Sequence, residues 1–316
     1  MNFFYNDHKE KVHNDAFPGN FRMLIVGQSG SGKTTLLMKL LLEPNLLNYD
    51  KLYIFARSLH QPEYQCLIEG FKNNLPKTDI IDILNAGSLI REKESSIEEV
   101  AIGLGLCNEE PSNIEAEFYD NPNEIPDPSE LDKSIRNLMV FDDIMTDKKQ
   151  STAENYYTRG RSCNCDSIYL SQNYTHLPLH TIRANSNIMI FFKSSPLVVE
   201  QLHRNFASVD MCIQDFKDLC TKYWIPKHGY LVIDLSRDYE SNLKYRDSIL
   251  ISRFQLENVV EDQSVNKMLR ASKTCTSCNL NMQSSSYARH LKSKKHARRA
   301  SEMEVKLRKW KPSFGN

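Results

Sequence analysis

Residues 21–34 read Phe21-Arg-Met-Leu-Ile-Val26-Gly27-Gln-Ser-Gly-Ser-Gly-Lys33-Thr34. An apolar run ends in a glycine loop, and the loop opens directly on the helical pattern Thr34–Leu42. Gly27 to Thr34 fits G-x-x-x-x-G-K-[ST] without deviation. The physics uses each part. Glycines accept positive φ, so successive backbone N–H groups can turn inward as an anion nest. The helix that follows directs its positive end at the same point. Lys33 is placed to neutralise the β- and γ-phosphates of a nucleotide such as ATP, and Thr34 to ligate Mg²⁺. The nucleotide-binding stretch is therefore Gly27, Gln28, Ser29, Gly30, Ser31, Gly32, Lys33, Thr34 and Thr35, the last continuing the helix.

Working outward, Lys51–Ala56, Asn137–Phe141, Asp166–Ser171, Asn187–Phe192 and His228–Leu235 read as strands, with Asp79–Leu84 a further candidate. Thr152–Arg161, Leu197–Phe206 and Ile213–Tyr223 read as helices. Strands alternating with helices predict an α/β fold with a mostly parallel sheet covered on both faces. The expected organisation is an N-terminal arm (1–16), a phosphate-loop domain (17–250), a polar linker (251–272) and a small C-terminal module (273–316).

The chain has 316 residues and no formal net charge. That balance hides an asymmetry. Residues 263–316 hold 13 basic and 2 acidic residues, a net of +11, whereas 92–132 hold 13 acids and one base, a net of −12. The acidic stretch reads as an insert with a solvated face, a docking surface being the other reading. Pro122, Pro126 and Pro128 predict an irregular connection at its end. The basic tail suggests nucleic acid or an acidic protein as partner. No apolar run approaches the ~20 residues of a membrane helix, and the N-terminus is polar. The expectation is a soluble intracellular protein without a membrane partner.

Leu138-Met-Val-Phe-Asp142-Asp143 is an apolar strand ending in two acids. A buried strand delivers such carboxylates to the mouth of the sheet. Asp142 is expected to hold Mg²⁺ through water, and Asp143 to orient and deprotonate the attacking water. Gln172 ends the strand Asp166–Ser171 and fits either a loop residue or a γ-phosphate contact. Arg159 and Arg161 close a helix, where a C-terminus favours cations in any case. Arg183 lies further on. Any of the three arginines would stabilise transition-state charge if it reached a neighbouring subunit's γ-phosphate.

Taken in order, Gly27–Thr35, Asp142-Asp143, Thr158-Arg-Gly-Arg161, Ser171-Gln172 and Ile182-Arg-Ala-Asn185 resemble the viral DNA-packaging ATPases of the FtsK–HerA superfamily. The likeness is to the poxvirus-like type carried by large DNA viruses, virophages, adintoviruses and Polinton/Maverick elements. His60-Gln-Pro-Glu-Tyr64-Gln65 adds to it, and it spans roughly residues 17–235. The resemblance implies a RecA-like P-loop ATPase core that assembles as a homo-oligomeric ring and drives double-stranded DNA into a capsid. A capsid or portal protein would then be a partner. It implies that Gln172 senses the γ-phosphate and that one of Arg159, Arg161 or Arg183 acts in trans, Arg161 being favoured. It also implies residence in a host nucleus, a cytoplasmic viral factory or the virion. Asp143 departs from the superfamily pattern, where many members carry Glu.

Cys275-Thr-Ser-Cys278, eleven residues, His290, five residues and His296 form C-x2-C-x11-H-x5-H. This is close to a Cys₂His₂ zinc finger. Tyr287–His296 resembles the matrin and U1-type fingers. Cys275, Cys278, His290 and His296 are the expected Zn²⁺ ligands, Met282 and Tyr287 a small apolar core. Arg289, Lys292, Lys294, Lys295, Arg298 and Arg299 suit phosphate contacts to DNA or RNA. Two other readings stay open. One is a helicase or pump sharing the ATP site; the other is a zinc-finger scaffold that binds nucleotide with little turnover. The acid at Asp143 argues against the scaffold, since a pure switch needs no base.

Overall fold

The computed structural model describes residues 13–14, 16–44, 46–86, 112–144, 150–238, 241 and 243–249, together with the backbone of 273–275 and 280–282. The chain divides into two compact units, Met1–Ile251 and Ser252–Asn316.

The larger unit is built on one eight-stranded sheet. In chain order its described elements are β1 (Arg22–Val26), α1 (Lys33–Leu42), β2 (Lys51–Ala56), α2 (Pro62–Lys72), α3 (Lys77–Asn85) and β3 (Glu115–Tyr119). There follow β4 (Asn137–Asp142), α4 (Ser151–Arg159), β5 (Cys165–Ser171), β6 (Ile188–Phe192), α5 (Pro196–Leu202), α6 (Ile213–Tyr223), β7 (Tyr230–Asp234) and β8 (Tyr245–Arg246). Strand order is β3-β2-β4-β5-β1-β6-β7-β8. The strands from β3 to β6 pair in parallel, while β7 and β8 add antiparallel pairs at one edge. The mostly parallel α/β sheet expected from the sequence is present.

Continuous apolar runs explain the sheet interior. β4 and β6 are buried at every position, because helices cover both faces of a parallel sheet. On one face α4 lays Tyr156 and Tyr157 against the sheet. Tyr156 meets Phe141 edge-on at 5.5 Å, and the Tyr157 hydroxyl donates to the Met23 carbonyl. Burying side chains of this size stabilises by ~1.5–3 kcal/mol each. At the opposite end of β5 from Gln172, Asp166 accepts from the Phe21 backbone N–H (2.7 Å), His13 Nε2 (2.9 Å) and Arg136 Nε (3.1 Å). His13 itself is buried, so the chain just ahead of β1 is part of the packed unit.

Two readings are corrected. Residues 79–84 are not a strand: they lie within helix α3. Ile80 and Ile83 are buried three residues apart on its inner face, and Ile80 fills the space left open at Gly70 of α2, where a Cβ would sit 2.7 Å from its Cγ1. The isoleucines therefore follow a helical period, which a six-residue window hides. The third strand is instead β3, Glu-Ala-Glu-Phe-Tyr, inside the acidic stretch. Lys51 on the neighbouring strand pairs with Glu115 (3.2 Å) and Glu117 (2.7 Å), and charged side chains on an edge strand also discourage edge-to-edge pairing. So part of this stretch is structural.

In the smaller unit, Lys273–Cys275 and Leu280–Met282 pair as an antiparallel hairpin, with Leu280 opposite Cys275. Cys278, His290 and His296 lie outside the described residues, as does most of the basic tail. Among the described residues there is no group of His, Cys, Asp and Glu able to hold a metal ion. None of their helices is long and apolar enough to cross a membrane.

Candidate active site

The phosphate loop joins the end of β1 to α1, and its glycines are required by geometry. Gly30 (φ +73°) and Gly32 (φ +105°) occupy the left-handed region, where a Cβ is strained. At Gly27 a Cβ would lie 2.5 Å from Ser31 Oγ and 2.8 Å from Phe192 Cβ, so the loop folds tightly against β6. The Ser31 hydroxyl is buried under the loop with no hydrogen-bond partner among the described residues. A buried polar atom without a partner is costly, so this hydroxyl is a local cost of the tight turn.

Two more strands bring the acids and the glutamine to this loop. β4 and β5 pair with Asp142 opposite Leu170, so the residues just past that pair share one rim. There Gln172 Nε2 donates to Asp143, 3.2 Å from Oδ1 and 3.3 Å from Oδ2. Asp143 itself has φ +53° and is exposed on the rim. Asp142 is buried, and Tyr64 from α2 donates its hydroxyl to Oδ2 at 2.5 Å.

Lys33 Nζ arches back to donate to the carbonyls of Gly27 (2.6 Å) and Gln28 (3.1 Å). Burial lowers the pKa of Lys33, and the charges of Asp142 and Asp143 oppose that shift. Burial raises the pKa of the Asp142 carboxyl. The Tyr64 hydrogen bond pulls it back, the Asp143 charge raises it further and Lys33 lowers it. The cleft thus keeps positive and negative groups within mutual reach, neither fully solvated.

These groups open on one cavity of about 300 Å³ at the carboxyl ends of the parallel strands. Its lining includes Ser29, Gly30, Gly32, Lys33, Thr34, Thr35, Asp142, Asp143 and Gln172. Ligands characteristically enter α/β sheets at that edge. The sequence-predicted loop, carboxylates and glutamine therefore meet. The three arginines do not join them. Arg159 pairs with Asp127 at 2.9 Å. Arg161 is exposed on the turn Gly160–Cys163 ahead of β5, at the end of that strand remote from Gln172. Arg183 stacks on the Tyr174 ring at 4.9 Å.

Sequence reasoning missed Ser58 and His228, which also line the cavity, and the roles of Gln61, a further lining residue, and Tyr64, although both belong to the quoted run His60–Gln65. His228 was legible only as the first residue of the strand read over His228–Leu235, whereas β7 itself begins at Tyr230.

For a divalent cation, the Thr34 hydroxyl and the Asp142 carboxylate are hard oxygen donors of the type Mg²⁺ prefers, and both line the cavity. The donor set fits the ion. The Cys₂His₂ set suits Zn²⁺ by its chemistry.

Residues 9–71 match the Poxvirus A32 protein family. That span holds β1, the phosphate loop, α1, β2 and nearly all of α2. No curated protein sequence matches the chain. Among solved structures, the genome packaging NTPase B204 of Sulfolobus turreted icosahedral virus 2 in complex with AMP is similar at 9% identity and TM-score 0.41. The alignment covers 74% of this chain and 100% of that one. The same protein with ATP-gammaS aligns at 12% identity and TM-score 0.41, over 68% and 93% of the two chains. VirB4 of Thermoanaerobacter pseudethanolicus aligns at 10% identity and TM-score 0.39, over 78% and 94%.

Proposed function

We propose that this chain is an ATPase that moves double-stranded DNA, packaging a viral genome into its capsid. The observation that carries the ATPase reading is the convergence of Lys33, Thr34, Asp142, Asp143 and Gln172 on one cavity at the phosphate loop. The match of residues 9–71 to the poxvirus A32 family supports the packaging assignment, because it coincides with the resemblance drawn from the motifs.

In this reading the loop's N–H groups and Lys33 hold the triphosphate of ATP. Mg²⁺, when bound by Thr34 and Asp142, supplies positive charge against the β- and γ-phosphates. Asp143 takes a proton from water as its oxygen attacks the γ-phosphorus, and the bond to the β-phosphate oxygen breaks to leave ADP and phosphate. Gln172 holds the Asp143 carboxylate from the side and is placed to register loss of the γ-phosphate. Arg161, exposed at the other end of the sheet, serves the site of the next subunit in a ring. The tail module, holding Zn²⁺ through Cys275, Cys278, His290 and His296, recruits nucleic acid or the capsid portal.

The test is steady-state ATP hydrolysis by the full chain with and without long duplex DNA, beside Lys33→Ala. Duplex stimulation that the variant lacks is expected. ATP binding without turnover on any nucleic acid, in the presence of capsid protein, would instead support the zinc-finger scaffold.

A further inference from the structure

We infer that His228 is the nucleoside-end contact of the ATP site, a specificity-determining residue on the side of the phosphate loop opposite the carboxylates. The inference deepens the nucleotide-site reading and rests on it.

Three lines of observation converge. His228 lines the same cavity as Lys33 and Asp143. Its Nδ1 lies 2.9 Å from the carbonyl oxygen of Ser31 in the phosphate loop. A carbonyl oxygen only accepts, so Nδ1 carries the proton, and Nε2 of the neutral ring keeps its lone pair for a donor. The ring also lies over Gly32, where a Cβ would approach its Cγ and Nδ1 to 3.2 Å. The missing side chain at Gly32 therefore seats the imidazole as well as permitting its φ.

Second, the segment that presents His228 is built for the purpose. His228 has φ +61°, a conformation that costs a non-glycine residue free energy and persists only where its surroundings enforce it. Those surroundings are visible. Trp224 Nε1 donates to the Phe191 carbonyl of β6 at 2.9 Å, and the Gly229 N–H donates to Pro226 O at 2.8 Å. A Cβ at Gly229 would meet Tyr223 O at 2.3 Å. The loop before β7 is thus locked against the sheet and aimed at the phosphate loop.

Third, topology assigns the end of the nucleotide. β1, which leads into the loop, lies between β5 and β6. Asp142, Asp143 and Gln172 arrive from β4 and β5 on one flank. His228 arrives from beyond β6 on the other, two residues ahead of β7. A triphosphate whose γ end faces the carboxylates places its sugar and base toward the β6–β7 flank. An aromatic ring with an acceptor nitrogen suits that moiety, through ring stacking and a ribose hydroxyl donating to Nε2.

The test compares ATP with inorganic tripolyphosphate, which has no nucleoside, by titration calorimetry on the full chain. The variants are His228→Asn and Lys33→Ala. Asn tolerates positive φ, and its amide can keep the donor to Ser31, so the loop stays tethered while the distal half of the ring is lost. The expected result is a preference for ATP over tripolyphosphate that falls on the order of tenfold in His228→Asn, with Lys33→Ala weakening both probes. Equal weakening of both probes in His228→Asn, or no change in the ratio, overturns the His228 assignment and leaves the nucleotide site standing. Wild-type protein that binds neither probe overturns the site itself, and this assignment with it.

Discussion

Removing a single oxygen, in Tyr64→Phe, tests the electrostatics of the cleft. Tyr64 is completely buried, and its hydroxyl donates to the buried Asp142 at 2.5 Å. Phenylalanine keeps the ring and its packing, so no cavity opens beyond the lost oxygen. What remains is a buried carboxylate oxygen without its donor. Hydrogen bonds to charged groups contribute about 1.5–3 kcal/mol, and the expected loss of stability at neutral pH is about 2 kcal/mol, or about 4–8 °C in Tm for a unit of this size. The loss has a pH signature. Asp142 titrates above the ordinary carboxylate range in the folded protein, chiefly through burial, and Tyr64 is the leading influence holding it down. A raised folded pKa means that the native state keeps this proton after the unfolded chain has released it, so the stability it contributes is full at low pH and is lost as pH rises. Tyr64→Phe raises that pKa further and steepens the decline. Urea unfolding at about pH 4 and about pH 7.5 should give a small penalty in acid and the full penalty near neutrality. Equal penalties at both pH values, or a neutral penalty below about 0.5 kcal/mol, would refute the argument that Tyr64 serves an ionised Asp142.

Other expectations follow from the same geometry. Asp143→Asn should lower ATP turnover by more than about a hundredfold with Tm unchanged, because Asp143 lies on the rim and its amide can still meet Gln172; full activity would remove Asp143 as the base. Elemental analysis should find one zinc per chain in the wild type and a loss of most of it in Cys278→Ser; less than a tenth of an equivalent in the wild type would dismiss the finger. Burial pushes the thiols of Cys66 and Cys220 up to about 11 and about 12, whereas Cys212 is exposed. A thiol-specific chromogenic reagent at neutral pH should therefore react one equivalent less, in its fast phase, with Cys212→Ser than with the wild type.

Much of this fold is local information. The phosphate loop, its flanking strand and its helix lie within about twenty consecutive residues, and their chemistry is fixed by residue type and spacing, so the sequence alone specifies them. The apolar runs of β4 and β6 are equally direct, because a strand buried on both faces leaves a continuous apolar signature. Where a signature was ambiguous, partners decided. Residues 80–84 carry four apolar side chains that suit strand or helix, and packing of Ile80 onto Gly70 selects the helix. Glu115–Tyr119 has the charge of a loop but becomes a strand because Lys51 neutralises its acids and β2 offers a free edge.

The composition of the site beyond its motifs is decided by tertiary structure alone. Asp143 and Gln172 are 29 residues apart and meet through the register of β4 on β5. Tyr64 reaches Asp142 across 78 residues, and His228 reaches Ser31 across 197. No spacing rule encodes such separations: they depend on strand order and on where each helix and loop returns the chain. Residue type and spacing set what the phosphate loop can do, and the folded sheet sets which acid, hydroxyl and imidazole stand beside it.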